Sequence, residues 1–168
     1  GNGLRYGLDN WLHNADATTR HRWVDGKLIE APVAHSGQFG VSFDDQGRFL
    51  TCHESSALHA DLIPGEYIVR NRHLAALATR GGRGFAGIDT NIATDAQQVY
   101  PIRVTPGITL GAMELRDDGR LRTYTIASGP AFYDGDQFPD DARGNVFVPE
   151  AGGHLIGRLQ LTGGIRPK

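Results

Sequence analysis

Short apolar runs alternate along this chain with acidic or glycine turns, a period-two pattern that predicts successive antiparallel hairpins. The unit occurs as Phe43-Asp44-Asp45-Gln46-Gly47-Arg48-Phe49-Leu50, as Leu115 to Leu121 around Asp117-Asp118-Gly119, and as Phe138 to Phe147 around Asp140-Asp141-Ala142-Arg143-Gly144. A looser copy is Gly7-Leu8-Asp9-Asn10-Trp11-Leu12, and Asp25-Gly26 separates Arg22-Trp23-Val24 from Lys27-Leu28-Ile29. Asp-Gly and Asn turns supply the left-handed backbone of a tight hairpin. Residues 73–98 break the pattern and read as an insertion between blades: His73 to Ala78 predicts a short helix, and Gly81-Gly82-Arg83-Gly84 a loop on the rim. Val99-Tyr100-Pro101-Ile102-Arg103-Val104 then reads as a strand that Pro101 confines to an edge.

Trp11 and Phe49 are 38 residues apart, close to the ~40 to 45 residues of a four-stranded propeller blade. The fold class expected is therefore all-β: residues 1–168 form part of a β-propeller, about three four-stranded blades of a six-bladed ring. Three blades alone would leave two apolar faces in water, so the remaining blades must come from a second copy or from chain outside these residues. A β-sandwich of the same strands is the competing architecture.

Composition narrows the partners. Gly occupies 23 of 168 positions, about twice its usual ~7% share, which favours frequent turns and short strands. Lys and Arg number 17 against 19 Asp and Glu, a formal charge of -2 with no basic block, which excludes nucleic acid as a partner class. Apolar runs such as Val146-Phe147-Val148 are far too short for a transmembrane segment. The start, Gly1-Asn2-Gly3-Leu4-Arg5, does not have the basic and then apolar pattern of a signal peptide. The single Cys52 forms no internal disulfide, and the absence of Cys-x-x-Cys excludes cysteine zinc sites and a covalently attached c-type haem.

Several segments carry a family resemblance. Leu4-Arg5-Tyr6-Gly7-Leu8-Asp9-Asn10-Trp11, Gly37-Gln38-Phe39-Gly40, Tyr67-Ile68-Val69-Arg70-Asn71, Ser128-Gly129-Pro130-Ala131-Phe132-Tyr133 and Gly144-Asn145-Val146-Phe147-Val148-Pro149-Glu150 resemble, in order, the propeller domain of bacterial membrane-bound dehydrogenases. That family is related to soluble quinoprotein sugar dehydrogenases. The resemblance implies a periplasmic or secreted protein passing hydride from a small sugar or alcohol to a bound pyrroloquinoline quinone (PQQ), with calcium beside it.

Residue by residue, His35-Ser36-Gly37-Gln38 is similar to a His-x-Gly-Gly motif that opens an innermost strand. The resemblance makes His35 the base for the substrate hydroxyl, a task that suits an imidazole with a pKa near ~6.5; the competing reading is an ordinary loop histidine. Val148-Pro149-Glu150-Ala151-Gly152-Gly153-His154 is similar to a strand and loop whose carbonyls hold calcium, which points to Gly152 and Gly153 as ligands. The same glycines could simply turn a hairpin. Where the family carries an Arg-Asn pair for the quinone, this chain has Ala127-Ser128-Gly129-Pro130, leaving Arg5, Gln38 and Arg103 as the residues to meet the cofactor. For Arg5 and Arg103, a solvated sheet-edge charge is the alternative.

Other constellations carry no chemistry. Gly81 to Gly84 lacks the Gly-Lys-Ser/Thr of a phosphate loop, and the seven histidines include no His-Glu-x-x-His, so His53 and His59 read as exposed. Trp11, Trp23, Phe39, Phe43, Phe132, Tyr133 and Phe147 are expected in the core between blades. Two further function classes stand beside the dehydrogenase: a propeller without catalytic activity that binds carbohydrate or a protein partner, and a calcium-dependent propeller lactonase using Glu150.

Overall fold

Asp25 and Gly26 both take positive φ, 48° and 75°, the backbone of a primed two-residue turn, and the chain on either side pairs from Val24↔Lys27 to Thr19↔Pro32. The same logic builds three antiparallel sheets. In the computed structural model, which describes residues 2–61, 63–74, 89–91, 99–103 and 115–161, the first sheet is β1 (Asn2–Tyr6), β2 (Leu12–Ala15), β3 (Thr19–Val24) and β4 (Lys27–Pro32), in that order. The second is β5 (Val41–Phe43), β6 (Phe49–His53), β7 (Ser56–Asp61) and β8 (Asp89–Asn91). The third runs β9 (Ala131–Phe132), β10 (Val146–Glu150) and β11 (Leu155–Leu159) with β10 in the middle. One short helix, α1 (Gly65–Arg70), follows β7, and the fold is all-β.

The hairpins expected around Asn10, Asp25-Gly26 and Asp44 to Gly47 form, with Tyr6↔Leu12, Val24↔Lys27 and Phe43↔Phe49 as their closing pairs. Leu115 and Leu121 make an isolated bridge around their turn. The expected hairpin from Phe138 to Phe147 does not form: Asp140–Ala142 is a 3-10 turn and Val146-Phe147 pairs instead with Phe132-Ala131. Val99 to Arg103 is irregular and not a strand, because Pro101 has no N–H to give and the Ile102 N–H is committed to the Gly153 carbonyl at 2.9 Å. Most of the helix expected over His73 to Ala78 and the whole of Gly81 to Gly84 lie outside the described residues. Within 73–98, β8 adds a fourth strand to the second sheet by pairing with β7.

The first strands of the three sheets lie side by side, β1 against β5 and β5 against β9. Two hydrogen bonds join the last pair, Phe132 N–H to Ser42 Oγ at 3.2 Å and Gly129 N–H to the Phe39 carbonyl at 3.0 Å. Gly3, Gly40 and Gly129, at φ +66°, +74° and +54°, sit at or just before the starts of these strands and touch backbone to backbone. A Cβ on Gly3 would lie 2.9 Å from Gly40 Cα, and one on Gly40 would lie 2.5 Å from Gly129 Cα. Only glycine allows so close an approach at these angles.

The core lies between the second and third sheets, where Leu50, Cys52, Leu58 and Ala60 meet Tyr124, Val146, Val148 and Leu159. The other side of the second sheet meets the first, with Phe43 and Phe49 edge-on at 5.5 Å and His13 edge-on to Phe43 and tilted against Phe49. Among the described residues the middle sheet is thus covered on both faces, while each flanking sheet keeps exposed apolar residues on its outer face. On the first, pairing puts Tyr6, Leu12, Trp23 and Leu28 on the outer face, where Trp23 is 62% exposed. Trp23 is therefore not in the core where the sequence placed it. On the third sheet, Ile156 opposite Pro149 is 66% exposed.

Burial pushes the Cys52 thiol from its usual 9.0 up to about 12, offset in part by backbone hydrogen bonding at Phe39 and Gly129. Between those two pH values the unfolded chain loses this proton and the folded chain keeps it, so stability falls as pH rises above 9. A thiol reagent at pH 8 should label Cys52 only when denaturant opens the fold, and the melting temperature should fall from pH 9 to 11 in the parent but less in Cys52→Ala.

Candidate functional site

The loops that carry the expected site residues gather at the end where the first strands begin. Hydrogen bonds chain them together: Asp16 N–H to the Ser36 carbonyl, Asn2 Nδ2 to the Gln38 carbonyl at 2.8 Å, Glu54 N–H to Gln38 Oε1 at 3.3 Å, and Ala127 N–H to the Glu54 carbonyl at 2.9 Å. His35 belongs to this rim. Its Nε2 lies 2.8 Å from Asp16 Oδ1, and Asp16 takes a φ of 54° where β2 ends. The imidazole is held in a fixed orientation by a carboxylate, the arrangement that a positioned base requires.

Arg5 is exposed on β1, Gln38 spends its side-chain carbonyl on the turn after β6, and Arg103 is exposed beside Gly153; no hydrogen bond or ion pair links the three. At Gly152-Gly153 the hairpin reading is the observed one, β10 turning into β11 with Glu150↔Leu155 as the last pair. The Gly153 carbonyl already accepts N–H groups from Ile102 and Arg103. The loop turns its own N–H inward, Gly153 to Glu150 Oε1 at 3.2 Å. With its N–H given to a carboxylate and its carbonyl already taken, Gly153 does not fit a calcium ligand. Among the described residues no group of three His, Cys, Asp or Glu side chains is placed to share a metal ion.

Glu150 itself is 0% exposed. Its carboxylate accepts from Thr125 N–H at 2.8 Å, Ile126 N–H at 3.3 Å, Gly153 N–H and the Thr125 hydroxyl. Four donors replace the water it has lost. Beside it the Tyr124 hydroxyl is buried without a hydrogen-bond partner, and burial together with the nearby Glu150 charge raises it from 10.0 to about 12. Glu150 ties the irregular 121–127 segment to the β10–β11 hairpin and has no access to solvent, which places it in the frame of the rim and not at a reacting centre.

A second constellation, absent from the sequence reading, lies between the first two sheets. Leu12↔His21 pairing sets His13 opposite Arg20 on the inner face. His13, 9% exposed, holds both oxygens of Asp9 at 3.2 and 3.1 Å. Arg20, 4% exposed, places Nη1 3.0 Å from Asp9 Oδ2 and 3.0 Å from Glu66 Oε1 while its guanidinium lies 4.4 Å from the Trp11 ring centre. These groups line a cleft of about 440 Å³ between the β1–β2 turn, the β5–β6 turn and α1. His53 and His59, expected in solvent, are half-buried and pack edge to face at 4.7 Å.

The Asp9, His13, Arg20 and Glu66 set spans distant parts of the sequence, and only the alternation His13/Ala15 and Arg20/Arg22 across a hairpin could have signalled it. Comparison with curated proteins and with solved structures returns no match. A family model matches residues 1–165, and the chain belongs to that family, described as a domain of unknown function, DUF7133.

Proposed function

We propose that the three sheets are successive blades of a β-propeller arc, and that the chain works as a propeller module that joins further blades and presents its loop end to a partner or small molecule. The observation that carries this is the covering of the middle sheet on both faces, with the first strands side by side and apolar residues, Trp23 and Leu28 on one sheet and Ile156 on the other, exposed on the outer faces of the flanking sheets. Two sheets facing each other, as in a sandwich, would leave no sheet enclosed in this way. Further blades, from a second copy or from chain outside these residues, would cover Trp23 and Leu28 on one side and Ile156 on the other.

Glutamate placed on either outer face tests this. In sedimentation velocity the parent chain should associate, and Trp23→Glu or Ile156→Glu should weaken that association at least ~10-fold without loss of the fold, since charge cannot be buried there cheaply. Association unchanged in both variants would remove the basis for the arc.

A sugar or alcohol dehydrogenase is the second reading, favoured by the His35–Asp16 pair on the rim. No step through a quinone or calcium is drawn, because the Gly153 carbonyl is already taken by Ile102 and Arg103 and no hydrogen bond or ion pair links Arg5, Gln38 and Arg103. Dye-linked oxidation of sugars, abolished by His35→Ala, would distinguish this reading from a binding module.

A further inference from the structure

We infer that the cleft between the first two sheets is a binding site for a small, uncharged, polyhydroxylated molecule. A network that served only to hold two sheets together would leave no room between them; this one lines about 440 Å³, within the size range of small-molecule sites. Leu8 and Tyr67 stand exposed in its wall, so the space communicates with solvent.

The chemistry of the wall selects the ligand. Its charged groups are already engaged: Arg20 with Asp9 and Glu66, His13 with Asp9, Arg48 with Asp44 at 2.5 Å, and Asp61 with the Ser36 hydroxyl at 2.9 Å. An anion would have to compete with two carboxylates for Arg20, and a cation with Arg20 for the carboxylates. A neutral hydroxyl disturbs neither pair, because the Trp11 N–H, His13 and Arg20 are three donors for the roughly four acceptor positions of the Asp9 carboxylate, which leaves one for an O–H, and a guanidinium offers several N–H groups in a fixed fork. Asp9 is the accessible acceptor, with 41% of its side chain in solvent. Leu8, Phe43 and Tyr67 supply apolar wall for the C–H face of a ring, leaving the few convergent polar groups to fix its orientation.

Isothermal titration of the full chain tests this with glucose and myo-inositol as neutral probes and with phosphate and putrescine as charged ones. Saturable binding of at least one neutral probe at millimolar concentration is expected, weakened about 10- to 100-fold in Asp9→Asn, the loss anticipated for a charge-assisted hydrogen bond. Asparagine keeps an oxygen for the Trp11 N–H that Asp9 accepts at 3.1 Å, so the turn should survive; if Asp9→Asn does not fold, Glu66→Gln serves in its place. Asp136→Ala, exposed and outside the cleft wall, should bind as the parent does. Binding of neither neutral probe, binding of a charged probe alone, or undiminished affinity in a folded Asp9→Asn would overturn the inference.

Discussion

Gly40→Ala should lose about 3 kcal/mol of stability or more, and Gly40→Val should fail to fold. The residue sits at φ +74° with an added Cβ only 2.5 Å from Gly129 Cα and 2.7 Å from Gly129 N. A left-handed backbone costs an L-residue roughly 1–2 kcal/mol by itself, and the clash here is with backbone, which can yield only by separating β5 from β9. Gly26 provides the control. It has nearly the same φ, +75°, but nothing within 4 Å of an added Cβ, so Gly26→Ala should cost only the backbone term, about 1 kcal/mol. For a chain of this size, 3 kcal/mol corresponds to a fall of roughly 6–12 °C in melting temperature. Equal melting of the two variants would show that the glycine contact at the starts of the first strands does not hold the sheets together.

Glu150→Ala has the second large expected effect, about 3–5 kcal/mol, because it abandons several buried donors at once. Thr125 N–H, Ile126 N–H, Gly153 N–H and the Thr125 hydroxyl all end on this one carboxylate. Glu150→Gln keeps the volume and one acceptor oxygen but turns an N–H₂ toward some of those donors, so it should cost less than alanine and still at least ~1.5 kcal/mol. Denaturant melts of both variants separate the possibilities. If Glu150→Gln is neutral, the carboxylate is a spectator of the 121–127 segment and not its anchor.

The hairpins were legible because their turns are chemically local: Asp25-Gly26 and Asp44 to Gly47 need positive φ at fixed positions, and the Asp44 carboxylate caps its own turn through the Gln46 and Arg48 N–H groups. The same local signal misled at Phe138 to Phe147. There the acidic turn is present, but Pro139 opens a 3-10 turn, and Val146-Phe147 finds a better partner in Ala131-Phe132 fourteen or more residues away. The glycine contact was written in the sequence as Gly-x-x-aromatic at Gly3-Leu4-Arg5-Tyr6, Gly40-Val41-Ser42-Phe43 and Gly129-Pro130-Ala131-Phe132, a repeat shorter than the turn motifs and easily hidden by them. The rim residue His35 was legible as a residue at the opening of a strand, whereas its Asp16 partner, nineteen positions earlier, becomes visible only when the end of β2 is set beside the β4–β5 link. The carbonyl role expected of Gly153 inverted for a reason of direction: sequence shows that a glycine is present, but not whether its peptide planes turn C=O or N–H toward the interior.

The proposed arc of three sheets with apolar outer faces is tested most directly by the mass of the 168-residue chain in solution. Light scattering across a concentration series should give a mass above the 18.2 kDa of one chain, rising with concentration toward a limiting assembly as the outer faces of Trp23 and Ile156 find partners. A constant 18.2 kDa at every concentration, with a single cooperative melt, would contradict the account and make the three sheets a self-sufficient fold.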